Sequence, residues 1–238
     1  MSKELRTLVE EGAGRPRIPS HRRACLSLAR SLDLGASLVP TAPCLVTDAT
    51  TLSYAETQGL SRSVEASLRA YQVGAEDTVG LLSANDPSAL TCIFGASRAG
   101  AAWTMIDPVE ASVAELAEEL ADCSVLIFRT AEAECVRQLQ PLLPRLRTMV
   151  CLDGHADGAL GWGQFLTAGF TGATAMPPGP PPAADGLLAA DQAVFLALRP
   201  LSPETAARWE PVLARGGRIV VGRREQASAV SALRVRQG

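Results

Sequence analysis

Lysine is all but missing from this chain: Lys3 is the only one among its 22 basic residues, and the others are arginine. Chemistry that needs an ammonium point charge inside a fold is therefore excluded, because Lys3 stands at a terminus expected to fray. A GC-rich genome also produces an arginine- and alanine-rich composition, but the missing ammonium limits mechanism whatever its origin. Histidine is nearly as scarce. His21 and His155 read as surface or loop residues, and neither can build a metal site with the neighbours it has. No serine lies in a G-x-S-x-G context near a histidine, so nucleophilic hydrolysis has no support. The cysteines (Cys25, Cys44, Cys92, Cys123, Cys135, Cys151) include no C-x-x-C pair and read as small buried hydrophobes, not as disulfides or a zinc site. Aromatic residues make up only 4%, and Trp103, Trp162 and Trp209 are too dispersed for a stacking platform.

No apolar run approaches the roughly 18–20 residues that span a bilayer. Met1 to Arg17 holds no apolar signal core, so a cytoplasmic location and no membrane partner are expected. The net charge of −3 argues against a nucleic-acid partner. What is present is an ordinary soluble composition, 47% hydrophobic and 20% charged over 238 residues, long enough to bury a core without staples.

From about Thr41 to Gly154, strand and helix patterns alternate. Pro43–Asp48 and Thr51–Ser53 read as a hairpin. Ser53 and Glu56 form an S-x-x-E capping box ahead of a helix with Leu60, Val64, Leu68 and Tyr71 on one face and Gly74 as its stop. Thr78–Ser83 is a strand, and Asp86-Pro87 opens a helix that ends at Gly100. Trp103–Ile106 is a strand closed by Asp107-Pro108. Ser112 and Glu115 repeat the capping box, with Val113, Leu116 and Leu120 as the helical stripe. Ser124–Phe128 is a strand, Ala131–Leu143 a helix stopped by Pro144, and Thr148–Leu152 a strand. Short strands separated by 10–15-residue helices predict an α/β fold with a mainly parallel sheet and helices on both faces.

Four regions follow: a tail at 1–19, an α/β block at 20–153, a Pro/Gly/Ala-rich linker at 154–190 and a strand-helix-strand segment at 191–238. A helix over Ser20–Leu32 opens the block. The linker loses periodicity and contains Pro177-Pro178-Gly179-Pro180-Pro181-Pro182, which reads as an extended spacer. In the last segment Ala193–Leu198 is a strand, Pro203–Ala214 a helix, Gly216-Gly217 a turn, Arg218–Val221 a strand and Gln226–Arg234 a final helix.

Leu52-Ser53-Tyr54-Ala55-Glu56 resembles the first core motif of adenylate-forming ligases, the superfamily of acyl-CoA synthetases and peptide-synthetase adenylation domains. Arg98-Ala99-Gly100-Ala101-Ala102-Trp103-Thr104-Met105-Ile106-Asp107-Pro108 resembles the second. Val73 to Leu82, Asn85 and Ser112 to Ile127 fit the stretches around them. The resemblance covers roughly residues 20–153 and implies the N-terminal subdomain of that fold. Both motifs are largely architectural: helix caps, a left-handed helix end and a strand stop.

Adenylation needs groups that cradle phosphates and neutralise developing charge. The family supplies them from a Ser/Thr/Gly-rich loop ending in P-K-G. Here Arg199-Pro200-Leu201-Ser202-Pro203-Glu204 follows the strand at 193–198, without glycine or lysine. The tail from Asp191 to Arg236 resembles a later piece of the same domain, as if the phosphate loop were deleted from within. Also absent are the adenine segment Y-G-x-T-E, the ribose-binding aspartate and the lysine-bearing lid. Gly95 to Gly100 has a G-x-x-x-x-G spacing but lies in a helix and reads as packing.

The resemblance thus implies a degenerate, catalytically silent module that binds a carrier protein or a full-length ligase. No residue is assigned as catalytic, cofactor-binding or metal-ligating, and no cofactor is expected. Alternatives are a remnant without independent function, a split ligase completed by another chain, and an S-adenosylmethionine-dependent methyltransferase suggested by Leu213 to Val221. Self-association into a homo-oligomer is also open. Glu118, Glu119 and Asp122 read as a solvated face. If a small acid binds, sheet geometry points to the strand ends near Ser83–Asp86 and Met105–Pro108.

Overall fold

The computed structural model describes residues 25–47, 50–83, 87–170, 194–197 and 202–221. In chain order its elements are α1 (Cys25–Leu38), β1 (Pro43–Val46), β2 (Thr51–Ser53), α2 (Tyr54–Ala70), β3 (Thr78–Leu82), α3 (Pro87–Ala99), β4 (Ala102–Ile106), α4 (Val113–Glu119), β5 (Cys123–Phe128), α5 (Ala133–Leu139), β6 (Thr148–Cys151), β7 (Leu160–Gly161), α6 (Trp162–Phe170), β8 (Val194–Ala197), α7 (Pro203–Leu213) and β9 (Arg218–Val221). They build two sheets. A five-stranded sheet runs β4-β3-β5-β6-β7 with every pairing parallel, and a four-stranded one runs β2-β1-β9-β8 with only β1–β2 antiparallel.

Strand periodicity sorts the five-stranded sheet's side chains onto two cores. Val79, Leu81, Trp103, Val125 and Ile127 meet Val64 and Leu68 of α2 and Leu90 and Phe94 of α3. The alternate residues Leu82, Ile106, Leu126 and Phe128 meet Leu116 of α4 and Val136 and Leu139 of α5. Helices therefore cover both faces, as the apolar runs predict. The first core continues through Leu28 and Leu32 of α1 and Trp209 of α7 to Leu45 and Ile219 of the second sheet. The segment at 202–221 is thus built into the block. Gly80 lies on the second face, where a Cβ would stand 2.7 Å from Leu120 and 2.8 Å from Cys123.

Both capping boxes form: Glu56 N–H donates to Ser53 Oγ at 3.3 Å and Glu115 N–H to Ser112 Oγ at 3.4 Å. Each glutamate returns a bond to its serine's N–H, at 2.8 and 2.9 Å. Gly100 takes the left-handed conformation at the end of α3, with φ 80°. Gly95 lies inside α3 where a Cβ would strike Val64, so the G-x-x-x-x-G spacing is helix packing.

Several boundaries differ from the pattern reading. The opening helix starts at Cys25 and runs on to Leu38; residues 20–24 lie outside the described residues. The stop of α2 is Gln72, left-handed at φ 59°, two residues before Gly74. The helix expected over 131–143 is a short α5 between two 3-10 turns. The linker at 154–190 is not featureless: β7 and α6 occupy 160–170, and Phe165 is fully buried. Residues 171–193, with the proline run, and the helix expected at 226–234 lie outside the described residues, as does His21.

Cys44, Cys92, Cys123, Cys135 and Cys151 are free thiols. Burial pushes Cys44 and Cys123 up to about 12, so both stay protonated and pack as small hydrophobes. His155 is exposed, as are Glu118, Glu119 and Asp122. Trp103 and Trp209 are buried, and Trp162 stacks on Phe165 at 5.7 Å. No helix among the described residues is long and apolar enough to cross a membrane.

Candidate functional site

Open parallel sheets bind ligands where the connections of two neighbouring strands leave in opposite directions and the strand order reverses. Here β3 feeds α3 and leads outward to β4, while its neighbour β5 feeds α5 on the other face and leads the opposite way to β6. The reversal therefore lies between β3 and β5. The pattern reading placed the crevice at 83–86 and 105–108, at the ends of β3 and β4; strand order moves its centre one strand over. Ser83 is buried at the end of β3, its N–H bonded to Ile106 O at 3.1 Å. Residues 84–86 lie outside the described residues. Asp107 is spent on its own turn, accepting from Val109 N–H at 3.1 Å.

Beyond β5 and β6 the polar groups interlock. Asp153 accepts from Thr130 N–H at 2.7 Å, from Thr130 Oγ1 at 2.9 Å and from Arg129 Nε at 2.9 Å. Burial would push its carboxyl up, but the Thr130 bonds and Arg129 charge outweigh it and hold Asp153 below the usual carboxylate range. Gly154 lets the two loops touch, because a Cβ there would lie 2.5 Å from Thr130 Oγ1. Glu132 is shifted the other way. Burial raises it, Asp153 and Asp107 add to the rise, and Arg129 only partly opposes them. Its Oε2 is buried without a hydrogen-bond partner.

Glu132 thus feels two further carboxylates, Asp153 and Asp107, against one guanidinium that is already engaged by Asp153. Such a site repels polyphosphate. No group of His, Cys, Asp or Glu able to hold a metal ion occurs among the described residues. No motif marks Arg129, Thr130, Glu132 or Asp153 in the sequence, although each follows an apolar strand run at its carboxyl end.

The motif residues do structural work elsewhere. The Tyr54 hydroxyl reaches Leu213 O at 3.1 Å and also Gly217 O, binding the end of α7 and the start of β9 to α2. Arg98 fastens α3 to Asp33 of α1. Between β8 and α7, Ser202 Oγ accepts from Thr205 N–H at 3.2 Å, and Pro203 occupies the first turn without an N–H to offer. This helix start has already used one amide that a phosphate would need, and Pro203 removes another.

A family model described as AMP-binding enzyme matches residues 35–188. Over 142 residues the chain is 30% identical to the AMB antimetabolite synthetase AmbE of Pseudomonas aeruginosa, covering 60% of this chain and 6% of that protein. Over 143 residues it is 32% identical to 4-coumarate--CoA ligase 3 of Oryza sativa subsp. japonica, covering 59% of this chain and 24% of the relative. Among solved structures, coronafacic acid ligase from Pectobacterium brasiliense superposes with a TM-score of 0.66 at 11% identity, over 85% of this chain and 47% of that one. The amide bond synthetase McbA from Marinactinospora thermotolerans gives 0.61 at 16% identity, over 83% and 44%. The chain thus spans less than a quarter of the length of these two sequence relatives and under half of either structure. The matches support a ligase-like fold and give no support to the methyltransferase alternative.

Proposed function

The chain belongs to the AMP-binding enzyme family, and from that premise we propose that this segment does not activate an acyl group by itself and serves as an accessory module. Its partner on this reading is a carrier protein or a full-length ligase of the same family. The carrying observation is the join between β8 and α7. Leu198-Arg199-Pro200-Leu201-Ser202-Pro203 holds neither glycine nor lysine, and the helix behind it is capped from within by Ser202. Stabilising a pentavalent phosphorus needs preorganised donors, each typically contributing about 3–4 kcal/mol to the barrier. The loops after β5 and β6 offer Glu132 and Asp153 in their place. Retained capping boxes and buried motif residues support a fold kept for binding.

The deciding experiment is pyrophosphate exchange with the full chain over amino, aryl and fatty acids, beside calorimetric titration of ATP. No exchange and no ATP heat are expected. Turnover by the chain alone overturns the proposal. Turnover that arises only on mixing with a second family chain establishes the split-ligase alternative. Association with a purified carrier protein or ligase, without new turnover, is the outcome expected of an accessory module.

A further inference from the structure

We draw no further inference here: the strongest candidate, the side-chain cluster of Arg129, Thr130, Glu132 and Asp153 in the loops after β5 and β6, belongs to the site already described, and nothing in the structure shows what ligand it would take.

Discussion

Arg98 grips the Asp33 carboxylate with both terminal nitrogens, at 2.9 and 2.5 Å, and its Nε donates to Ser61 at 2.9 Å. The basic residue of the second ligase-like motif is thereby a clasp between α3, α1 and α2. Burial would raise Asp33, but Arg98, Gln58 and Arg62 together hold its carboxyl below the usual range. A carboxyl lowered by folding contributes stability that is complete above its unfolded pKa and is lost as pH falls through the folded value. Arg98→Met should cost about 2 kcal/mol at pH 7, less than for a fully buried pair because Asp33 is 38% exposed. In urea melts, the gap between the two proteins should shrink as pH drops from 5 toward 3 and Asp33 takes up its proton. A gap independent of pH would show that Arg98 acts by packing alone.

The capping boxes give a second measurement. Ser53→Ala and Ser112→Ala each remove a side-chain acceptor from a helix N-terminus, a loss of about 1 kcal/mol. Ser53 caps the 17-residue α2, which packs on α3 and α6, whereas Ser112 caps the seven-residue α4. Thermal melts should place Ser53→Ala below Ser112→Ala. The reverse order would mean that the α4 edge is the weaker part of the fold.

The parallel sheet, the hairpin and both caps were legible because each depends on residues within one or two turns of one another. Ser53 and Glu56 are three apart, and the apolar strand runs are continuous. The second motif contains Arg98 but not its clasp, because Asp33 lies 65 residues away. For the same reason nothing local discloses that Tyr54 holds carbonyls 159 and 163 residues downstream. Helix α6 was missed because Gly161, Gly163 and Gly169 look like breakers. Gly169 is there for contact, since a Cβ would stand 2.7 Å from Ser67 N on α2. The switch point lies one strand from the strand ends that the pattern suggests, because strand order is set by long-range pairing.

Gly80 tests the packing of the second core. It sits mid-strand between Val79 and Leu81, where glycine costs conformational entropy and supplies no side chain. The nearby Leu120 and Cys123 leave no room for a methyl group. Gly80→Ala should destabilise by about 1–3 kcal/mol through overpacking, read as a lower urea midpoint at unchanged slope. A neutral or stabilising result would mean that α4 can move away from the sheet at little cost.

Tyr54 decides whether the last segment folds with the rest. Its ring is fully buried, and Gly35 of α1 is pressed so closely on it that a Cβ would strike both the ring and Leu213 O. The Tyr54 hydroxyl reaches both Leu213 O and Gly217 O at the end of α7, and Leu213 O also accepts from Gly216 N–H at 3.0 Å. Tyr54→Phe keeps the ring and deletes the hydroxyl proton, which takes the side-chain donor from Gly217 O and the second donor from Leu213 O, at a cost of about 1–3 kcal/mol. Amide exchange should then rise in α7 and β9 and pass to β1, which β9 pairs through Leu45–Ile219 and Val46–Val220. The five-stranded sheet should keep its protection. Exchange that rises equally in both sheets would show one cooperative unit with no separable joint, whereas exchange unchanged everywhere would show that the hydroxyl contributes nothing to docking.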